Sequence, residues 1–177
     1  MTSPRILLRA HQIRPKKSYG QNFLNDQNVA KAIVAHTGIG PEDTVLEIGA
    51  GLGALTIIAA QTAANVIAVE KDHQIIPILK SEILLHGLDN VVVLDQDILK
   101  IDISALTRPH SRGLVVVGNL PYNISSQVVV QLIQSRAVVD RAVMMFQKEL
   151  AERLIARPGN KTYGRLSVML QYCADIQ

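Results

Sequence analysis

Six short apolar runs alternate along this chain with segments that have helical spacing. Strands that alternate with helices pair in parallel and carry helices on both faces of the sheet. The sequence has no internal repeat and no low-complexity linker, so the alternation predicts one α/β domain with a mostly parallel sheet. The predicted strands are Thr44–Ile48, Asn65–Glu70, Val91–Leu94, Leu114–Val117, Arg141–Phe146 and Leu166–Tyr172.

The segments between these runs carry helix signals. Asn25 or Asp26 can cap a helix that continues to about Thr37, since a short polar side chain can accept from the first free backbone N–H groups. Asp72 can cap another helix in the same way. We predict three further helices. One covers about residues 54–64, one begins at Ser125 or Ser126, and one runs from the end of the fifth strand to about Ala156.

Composition narrows the class of protein. Although 48% of the 177 residues are hydrophobic, no apolar run is long enough to span a bilayer, and the first residues lack the apolar region of a signal peptide. We therefore expect a cytoplasmic protein. Cys173 is the single cysteine, which excludes an internal disulfide and a cysteine-based zinc cluster. The five histidines are scattered without metal-ligand spacing, so no metal is expected.

A glycine-rich turn, Glu47–Gly53, joins the first predicted strand to the helix that follows. Glycines allow unusual torsions and let a ligand approach the backbone closely. Glu70 ends the second strand, where an acid can accept hydrogen bonds from both hydroxyls of a ribose. Gly49, Gly51 and Ala54 also fit the pattern of dinucleotide-binding proteins, so these features alone leave a nicotinamide enzyme open.

The end of the third strand favours an adenosine pocket. Asp97 follows that strand and could accept a hydrogen bond from the amino group of an adenine, although it could also simply cap a helix. A ribose acid, an adenine acid and a glycine turn would meet at the carboxyl ends of parallel strands, where ligands of such sheets bind. A nicotinamide enzyme would need a catalytic acid and a substrate domain, and neither is visible in the sequence.

The turn Asn119-Leu120-Pro121-Tyr122 follows the fourth strand. The amide oxygen of Asn119 and the carbonyl of Leu120 can accept hydrogen bonds from an NH2 group. Pro121 has no N–H and fixes its own backbone torsion, and Tyr122 offers a flat face with a polar tip. This set suits a planar base with an exocyclic amine. The alternative is a plain strand-to-helix turn, in which Asn and Pro are common.

Two segments are basic and free of acids, although the net charge of the chain is only +3. They are an N-terminal arm of about residues 1–24 and the stretch 153–174. Such clustering indicates a polyanionic partner, although a solubilising tail and a solvated helix face would look alike. The candidate phosphate contacts are Arg14, Lys16, Lys17, Arg153, Arg157, Lys161 and Arg165.

Together these motifs resemble the ribosomal RNA small-subunit adenine N6-dimethyltransferases of the KsgA/RsmA type, over about residues 14–177. This resemblance implies a Rossmann-like, class I methyltransferase fold that uses S-adenosyl-L-methionine. The stretches that carry it are 21–24, 47–53, 69–70, 96–97, 119–122, 146–149 and 163–167.

The resemblance implies sequential dimethylation of N6 on two adjacent adenines, in a hairpin loop near the 3′ end of 16S rRNA, during ribosome biogenesis. The expected partner is small-subunit rRNA or the 30S particle. The family's cofactor contacts carry over to Asn22, Leu24, Gly49, Gly51, Glu70, Asp97 and Asn119. Its catalytic positions carry over to Asn119, Leu120, Pro121, Tyr122 and Phe146, with Tyr122 stacking on the target adenine and Phe146 covering its other side.

Two other functions stay open. The antibiotic-resistance branch dimethylates an adenine of 23S rRNA, although Asn123-Ile124-Ser125 fits the small-subunit branch better. A non-catalytic RNA-binding or transcription-factor module could also use this fold, although it would not need the cofactor residues.

The resemblance also implies that the family continues beyond residue 177 with a last sheet strand and a small helical domain. We therefore expect the last strand to be missing, and the fifth and sixth strands to leave an apolar edge that favours self-association.

Overall fold

The computed structural model describes residues 2–16, 19–107 and 112–177. These residues form a sheet of five parallel strands in the order β3-β2-β1-β4-β5. Five of the six predicted strands are confirmed, with ends that differ by at most two residues. The strands are β1 Thr44–Ile48, β2 Asn65–Glu70, β3 Val91–Asp95, β4 Leu114–Asn119 and β5 Val139–Met145.

Helices connect and flank the strands. Asp26 caps the second helix as predicted, because its carboxylate accepts from the backbone N–H of Asn28 at 2.8 Å, and Gly38 ends that helix with φ +61°. Two short 3-10 helices, Ile98–Lys100 and Ile103–Leu106, follow β3. The α-helices are α1 Pro4–Ala10, α2 Gln27–Thr37, α3 Thr56–Ala60, α4 Ile76–Leu85, α5 Ser125–Gln134, α6 Lys148–Leu154 and α7 Arg165–Cys173.

The predicted sixth strand is wrong, because Leu166–Tyr172 lies within helix α7. Its apolar residues recur at three- and four-residue spacing, so Leu166, Met169 and Leu170 share one helix face and pack with residues of α5 and α6. Val168 and Tyr172 face outward, with 47% and 90% of their surface exposed. A high local density of apolar residues fits a strand or a helix. Packing against the apolar surfaces of α5 and α6 favours the helix.

The core lies on both faces of the two central strands. Val45 and Val115 face α2 and α3, whereas Leu46 and Val116 face the opposite side, where α5 packs. All four are completely buried. This alternation along β1 and β4 is expected of strands with helices on both faces, as the sequence predicted.

Strand register brings the loops that carry the motifs to one edge of the sheet. Ile48, the last residue of β1, lies opposite Val69 of β2 and Gly118 of β4. Glu70 lies opposite Asp95 at the end of β3. Because all strands run the same way, the turns after β1, β2, β3 and β4 meet at this edge. Within the described residues, no helix has the length and apolarity needed to cross a membrane.

Candidate active site

A cleft opens at the carboxyl ends of the strands, above the neighbours β1 and β4. The chain runs from β1 toward β3 on one side and returns to β4 on the other, so the cleft lies at the point where the strand order reverses. The structure brings together all seven residues predicted to bind a cofactor. Those that line the cleft are Asn22, Leu24, Gly49, Gly51, Glu70, Asp97 and Asn119.

The glycine turn forms the floor of the cleft. The backbone N–H groups of Gly49 and Ala50 donate to the carbonyl of Val69, at 2.9 and 3.0 Å, which fixes the turn to β2. Gly51 has φ +55°, and a Cβ atom there would lie 3.3 Å from the ring of Phe23. A larger residue at position 51 would therefore be strained and would press on the N-terminal segment.

The carboxylate of Glu70 holds the same turn from the end of β2. One oxygen accepts from the N–H of Gly51 at 2.8 Å, and the other accepts from the N–H groups of Lys71 and Asp72, both at 2.9 Å. A carboxylate offers about four acceptor positions, so this one can still accept from a ligand hydroxyl. Glu70 thus shapes the cleft and also faces into it.

Asp97 serves as a helix cap and as part of the cleft wall. One carboxylate oxygen accepts from the N–H of Leu99 at 3.1 Å, which caps the first 3-10 helix. The other oxygen lies 3.8 Å from the ammonium group of Lys71. The capping role that the sequence left open is therefore present, and it uses only one of the two oxygens.

Asn119 is the last residue of β4, and its side-chain amide is held in one orientation. Its Nδ2 donates to the backbone carbonyl of Asn22 at 2.9 Å. The amide oxygen is then the atom free to accept a hydrogen bond from a bound group. Leu120 and Pro121 line the cleft beside it.

Tyr122 and Phe146 lie outside the cleft. Tyr122 is 55% exposed and lines a separate groove on the far side of the same turn. Phe146 is half-buried and packs against two apolar clusters that include Val128 and Val129 of α5. The structure therefore separates these two aromatic residues from the other predicted catalytic positions, and their roles toward a base stay predictions.

An ion pair between Lys16 and a buried carboxylate, that of Asp72, anchors the N-terminal segment against the cleft. The carboxylate of Asp72, only 1% exposed, accepts from the ammonium group of Lys16 and from Nε2 of Gln21, both at 2.7 Å. Gln21 Oε1 accepts in turn from the N–H of Lys16 at 2.8 Å. Burial raises the pKa of Asp72, but the hydrogen bonds from Lys16, Gln74 and Gln21 outweigh it and hold the pKa below its ordinary value.

The sequence did not predict this arrangement, which we call the Asp72 network (Lys16, Gln21 and Asp72). Asp72 was predicted to cap a helix and Lys16 to contact RNA. Helix α4 begins at Ile76, and the Asp72 carboxylate accepts from the N–H of Gln74 at 3.1 Å in the turn before it. The ammonium group of Lys16 is already paired. The signal available in the sequence was a second acid two residues after Glu70, at the same end of β2.

We expect Asp72→Asn to loosen the segment 19–24 while the sheet stays intact. The change places an NH2 group against donors and removes charge-assisted hydrogen bonds, each worth about 1.5–3 kcal/mol. Amide hydrogen exchange in residues 19–24 should accelerate at least tenfold, with unchanged protection in β1 and β4. Asp89→Asn, at an exposed acid, is the matched control. Equal exchange in both variants would contradict an anchoring role.

Glu47 is a buried acid beneath the glycine turn. Burial raises its pKa to about 8, and the negative charge of Glu70 acts in the same direction, whereas the hydrogen bond donated by the hydroxyl of Thr56 opposes both. Glu47 is therefore protonated at neutral pH in the folded protein. The sequence showed it only as part of the motif, since no local pattern shows that its carboxyl group is buried.

This raised pKa predicts a specific dependence of stability on pH. The folded state keeps the Glu47 proton up to about pH 8, whereas the unfolded chain releases it near 4.5. The free energy of unfolding should therefore fall as pH rises between these values. Glu47→Gln keeps an acceptor for Thr56 and removes the titration. In urea unfolding, the variant should gain stability relative to the original chain between pH 5 and pH 8, and a constant difference would refute the assignment.

The predicted phosphate contacts fall into three groups. Lys17 lies outside the described residues, and Lys16 is held in the Asp72 network. Arg14 is exposed on the N-terminal segment. The remaining four are exposed on α6, α7 and their connection, and none of them forms an ion pair within the described part of the chain. These are Arg153, Arg157, Lys161 and Arg165.

Comparison with known proteins identifies related sequences. A sequence model of the family described as ribosomal RNA adenine dimethylase matches residues 12–177. Ribosomal RNA small subunit methyltransferase A of Desulforapulum autotrophicum is 50% identical over all of this chain and 62% of its own length. The protein of the same name from Lactiplantibacillus plantarum is 44% identical over 95% of this chain and 57% of its own length.

Two solved structures have a similar fold. A dimethyladenosine transferase from Plasmodium falciparum has a TM-score of 0.74 and 34% identity, over 85% of this chain and 52% of its own. The 23S rRNA methyltransferase ErmE has a TM-score of 0.64 and 29% identity, over 75% of this chain and 50% of its own. The chain spans about three fifths of the length of the curated relatives that it matches.

Proposed function

Because the chain belongs to the ribosomal RNA adenine dimethylase family, we propose that it methylates N6 of adenines in small-subunit rRNA, using S-adenosylmethionine. The observation that carries this proposal is the side chain of Asn119. Its amide oxygen is free at the tip of β4, beside a cleft with the features of an adenosine site. The proposed product is N6,N6-dimethyladenine at two adjacent positions of a hairpin loop near the 3′ end of 16S rRNA.

The residues of the cleft fit the proposed cofactor. Glu70 has acceptor capacity left for a ribose hydroxyl, and Asp97 can accept from the adenine amino group through the oxygen that does not cap the 3-10 helix. The glycine turn lets the cofactor approach the backbone, and Asn22 and Leu24 close the cleft from the N-terminal side. When bound, S-adenosylmethionine supplies an electrophilic methyl group on a sulfonium.

The proposed mechanism relies on positioning and electrostatics. The lone pair of adenine N6 is delocalised into the ring, so the amine is a poor nucleophile. The Asn119 amide oxygen and the Leu120 carbonyl would accept its two hydrogens and favour a more tetrahedral nitrogen, whose lone pair would then be available for methylation. The bound cofactor would supply the methyl group and leave as a neutral thioether when its S–C bond breaks, and the N6 proton would pass to water. No strong general base is needed.

The target adenine has to leave its stack to reach the cleft. Stacking on an aromatic side chain is worth about 1–3 kcal/mol per base. Tyr122 is exposed on the far side of the turn that borders the cleft, and it is our proposed partner for the extruded base. Phe146 stays a predicted partner for the opposite face, although its packing against α5 supports a structural role.

Three other functions are less well supported. Similarity to the small-subunit methyltransferases is greater than to ErmE, at 50% against 29% identity. A non-catalytic RNA-binding module has no need for the seven predicted cofactor residues that line the cleft. A nicotinamide enzyme would need a dedicated catalytic acid beside the nicotinamide, whereas the free acceptor at the tip of β4 is the amide of Asn119.

Methyl incorporation tests the proposed function directly. Radiolabelled S-adenosylmethionine is offered with undermethylated 30S particles, with naked 16S rRNA and with 23S rRNA, and the modified base is identified as dimethyladenine. We expect incorporation into small-subunit substrates, and the Asn119→Ala variant is the negative control. Transfer to 23S rRNA alone would support the resistance-type function. RNA binding without transfer would support the non-catalytic module.

The exposed cations predict salt-dependent RNA binding. Neutralising a true phosphate contact removes one counterion-release event, so the slope of log K against log salt should fall by about 0.7–0.9 for each residue. We expect this for Arg157→Ala, with weaker binding to every RNA sequence. Lys31→Ala, at an exposed site on α2, is the matched control. A slope that Arg157→Ala leaves unchanged would remove this residue from the interface.

Two further expectations remain proposals. β5 pairs with β4 and forms one edge of the sheet within the described residues, which supports self-association through that edge. Sedimentation at several protein concentrations would detect it.

A cytoplasmic location is likewise a proposal that follows from the proposed substrate.

A further inference from the structure

A second concave site lies beside the cleft, between the first turn of α5 and helix α6. This groove has a volume of about 350 Å³, which falls within the range of about 300–1,000 Å³ found for small-ligand sites. Its lining includes Tyr122, Ser126, Gln147, Glu149 and Arg153. The groove is therefore within the size range of small-ligand sites.

The groove and the cleft share a wall. Pro121 and Ile124 line the cleft, whereas Tyr122 and Ser125 line the groove, so one turn separates the two sites. The hydroxyl of Ser125 donates to the carbonyl of Pro121 at 2.8 Å, which stiffens that turn. A nucleotide linked by a phosphodiester to the target nucleotide can reach the groove across this turn, since the groove lies directly beyond it.

The groove offers one group for each part of a ribonucleotide. Tyr122 presents an exposed ring on which a base can stack. Arg153 and Glu149 are exposed, and neither forms an ion pair within the residues that the structure describes. A guanidinium suits a phosphate, and a carboxylate suits a donating sugar hydroxyl. Because groove and cleft share the turn 121–125, both could be occupied by the same strand.

We propose that this groove is a ribose-reading subsite for the ribonucleotide that flanks the target adenine. Glu149 accepts from its 2′-hydroxyl, Arg153 binds its phosphate, and Tyr122 stands between the flanking base and the target base. The 2′-hydroxyl is the group by which a protein distinguishes RNA from DNA at a given position. The proposal rests on the proposed function, and it assigns the preference for RNA to Glu149.

Single-atom changes in the substrate test the subsite. We compare an RNA hairpin that contains the target with hairpins carrying one 2′-deoxy sugar on the 5′ or the 3′ side of it. For the original chain, we expect one of the two deoxy positions to lower kcat/KM and RNA affinity by about tenfold. Glu149→Ala should cause a similar loss on the all-ribose hairpin and then show no further loss at that deoxy position.

Glu152→Ala is the matched control, since Glu152 lies on the same helix and pairs with Lys148 outside the groove. It should retain the full deoxy effect. The subsite would be overturned if methyl transfer continues and neither deoxy substitution lowers kcat/KM. It would also be overturned if a deoxy substitution lowers kcat/KM equally in the original chain and in Glu149→Ala. No RNA binding and no transfer by the original chain would instead overturn the proposed function, and the subsite with it. Unchanged S-adenosylmethionine affinity in Glu149→Ala separates the groove from the cleft.

Discussion

Asn119→Ala is expected to lower the rate of methyl transfer by at least about 100-fold, the usual cost of removing one hydrogen-bonding group that acts in the transition state. The amide oxygen is the free acceptor at the tip of β4, and alanine removes it. Cofactor affinity should fall much less, because Glu70, Asp97 and the glycine turn remain. The measurement is single-turnover transfer at saturating cofactor, together with calorimetric binding of S-adenosylmethionine.

Comparing Asn119→Asp with Asn119→Ala separates the role of the amide oxygen from that of the amide nitrogen. Asn119→Asp keeps an acceptor oxygen but loses the donor to the Asn22 carbonyl, so it should retain more transfer activity than alanine if the acceptor matters. Asn123→Ala, at an exposed asparagine of the same turn, is the matched control. Transfer at the original rate by both Asn119→Ala and Tyr122→Ala would mean that the methyl acceptor is bound elsewhere.

Glu70→Ala is expected to weaken S-adenosylmethionine binding by at least tenfold. Each hydrogen bond to a charged group is worth about 1.5–3 kcal/mol, and about 1.4 kcal/mol corresponds to a factor of ten. The variant would lose the bonds to the ribose and would also release the N–H of Gly51 from the carboxylate. The effect should therefore exceed that of removing a ribose contact alone.

Calorimetry on the variant and on Glu42→Ala tests this expectation. Glu42 is an exposed acid that precedes β1, at the opposite end of the strands, so it is a suitable control. Unaltered affinity in Glu70→Ala would remove this residue from the site. Binding of NADH by the original chain would revive the dehydrogenase alternative, which shares the glycine turn and the acid of β2.

Local pattern predicted the parts of the fold that depend on neighbouring residues. The apolar runs of β1 to β5 and the Asp26 cap were found because their signals lie within a few residues of each other. The predicted strand at 166–172 was wrong because apolar density there fits two structures, and packing on α5 and α6 selects the helix. Helix α1 was missed, since the N-terminal segment was interpreted only by its charge.

Some residues of the candidate site could be predicted from the sequence and others could not. Residues at strand ends, such as Glu70 and Asn119, were located correctly because parallel strands gather their carboxyl ends. The Asp72 network was missed because Lys16 and Gln21 lie 56 and 51 residues from Asp72 in sequence. The outward position of Tyr122 depends on how its turn packs, which the four residues of the motif do not specify.

The hydrogen bond between Asn119 and the carbonyl of Asn22 has a thermodynamic consequence. It joins a proposed acceptor for the target amine to the segment that borders the cofactor cleft. If S-adenosylmethionine orders that segment, it also orients Asn119 for the adenine. By linkage, a correctly bound adenine must then raise the affinity for the cofactor by the same factor. Neither ligand has to bind first, since the coupling free energy between them does not depend on the order in which they bind.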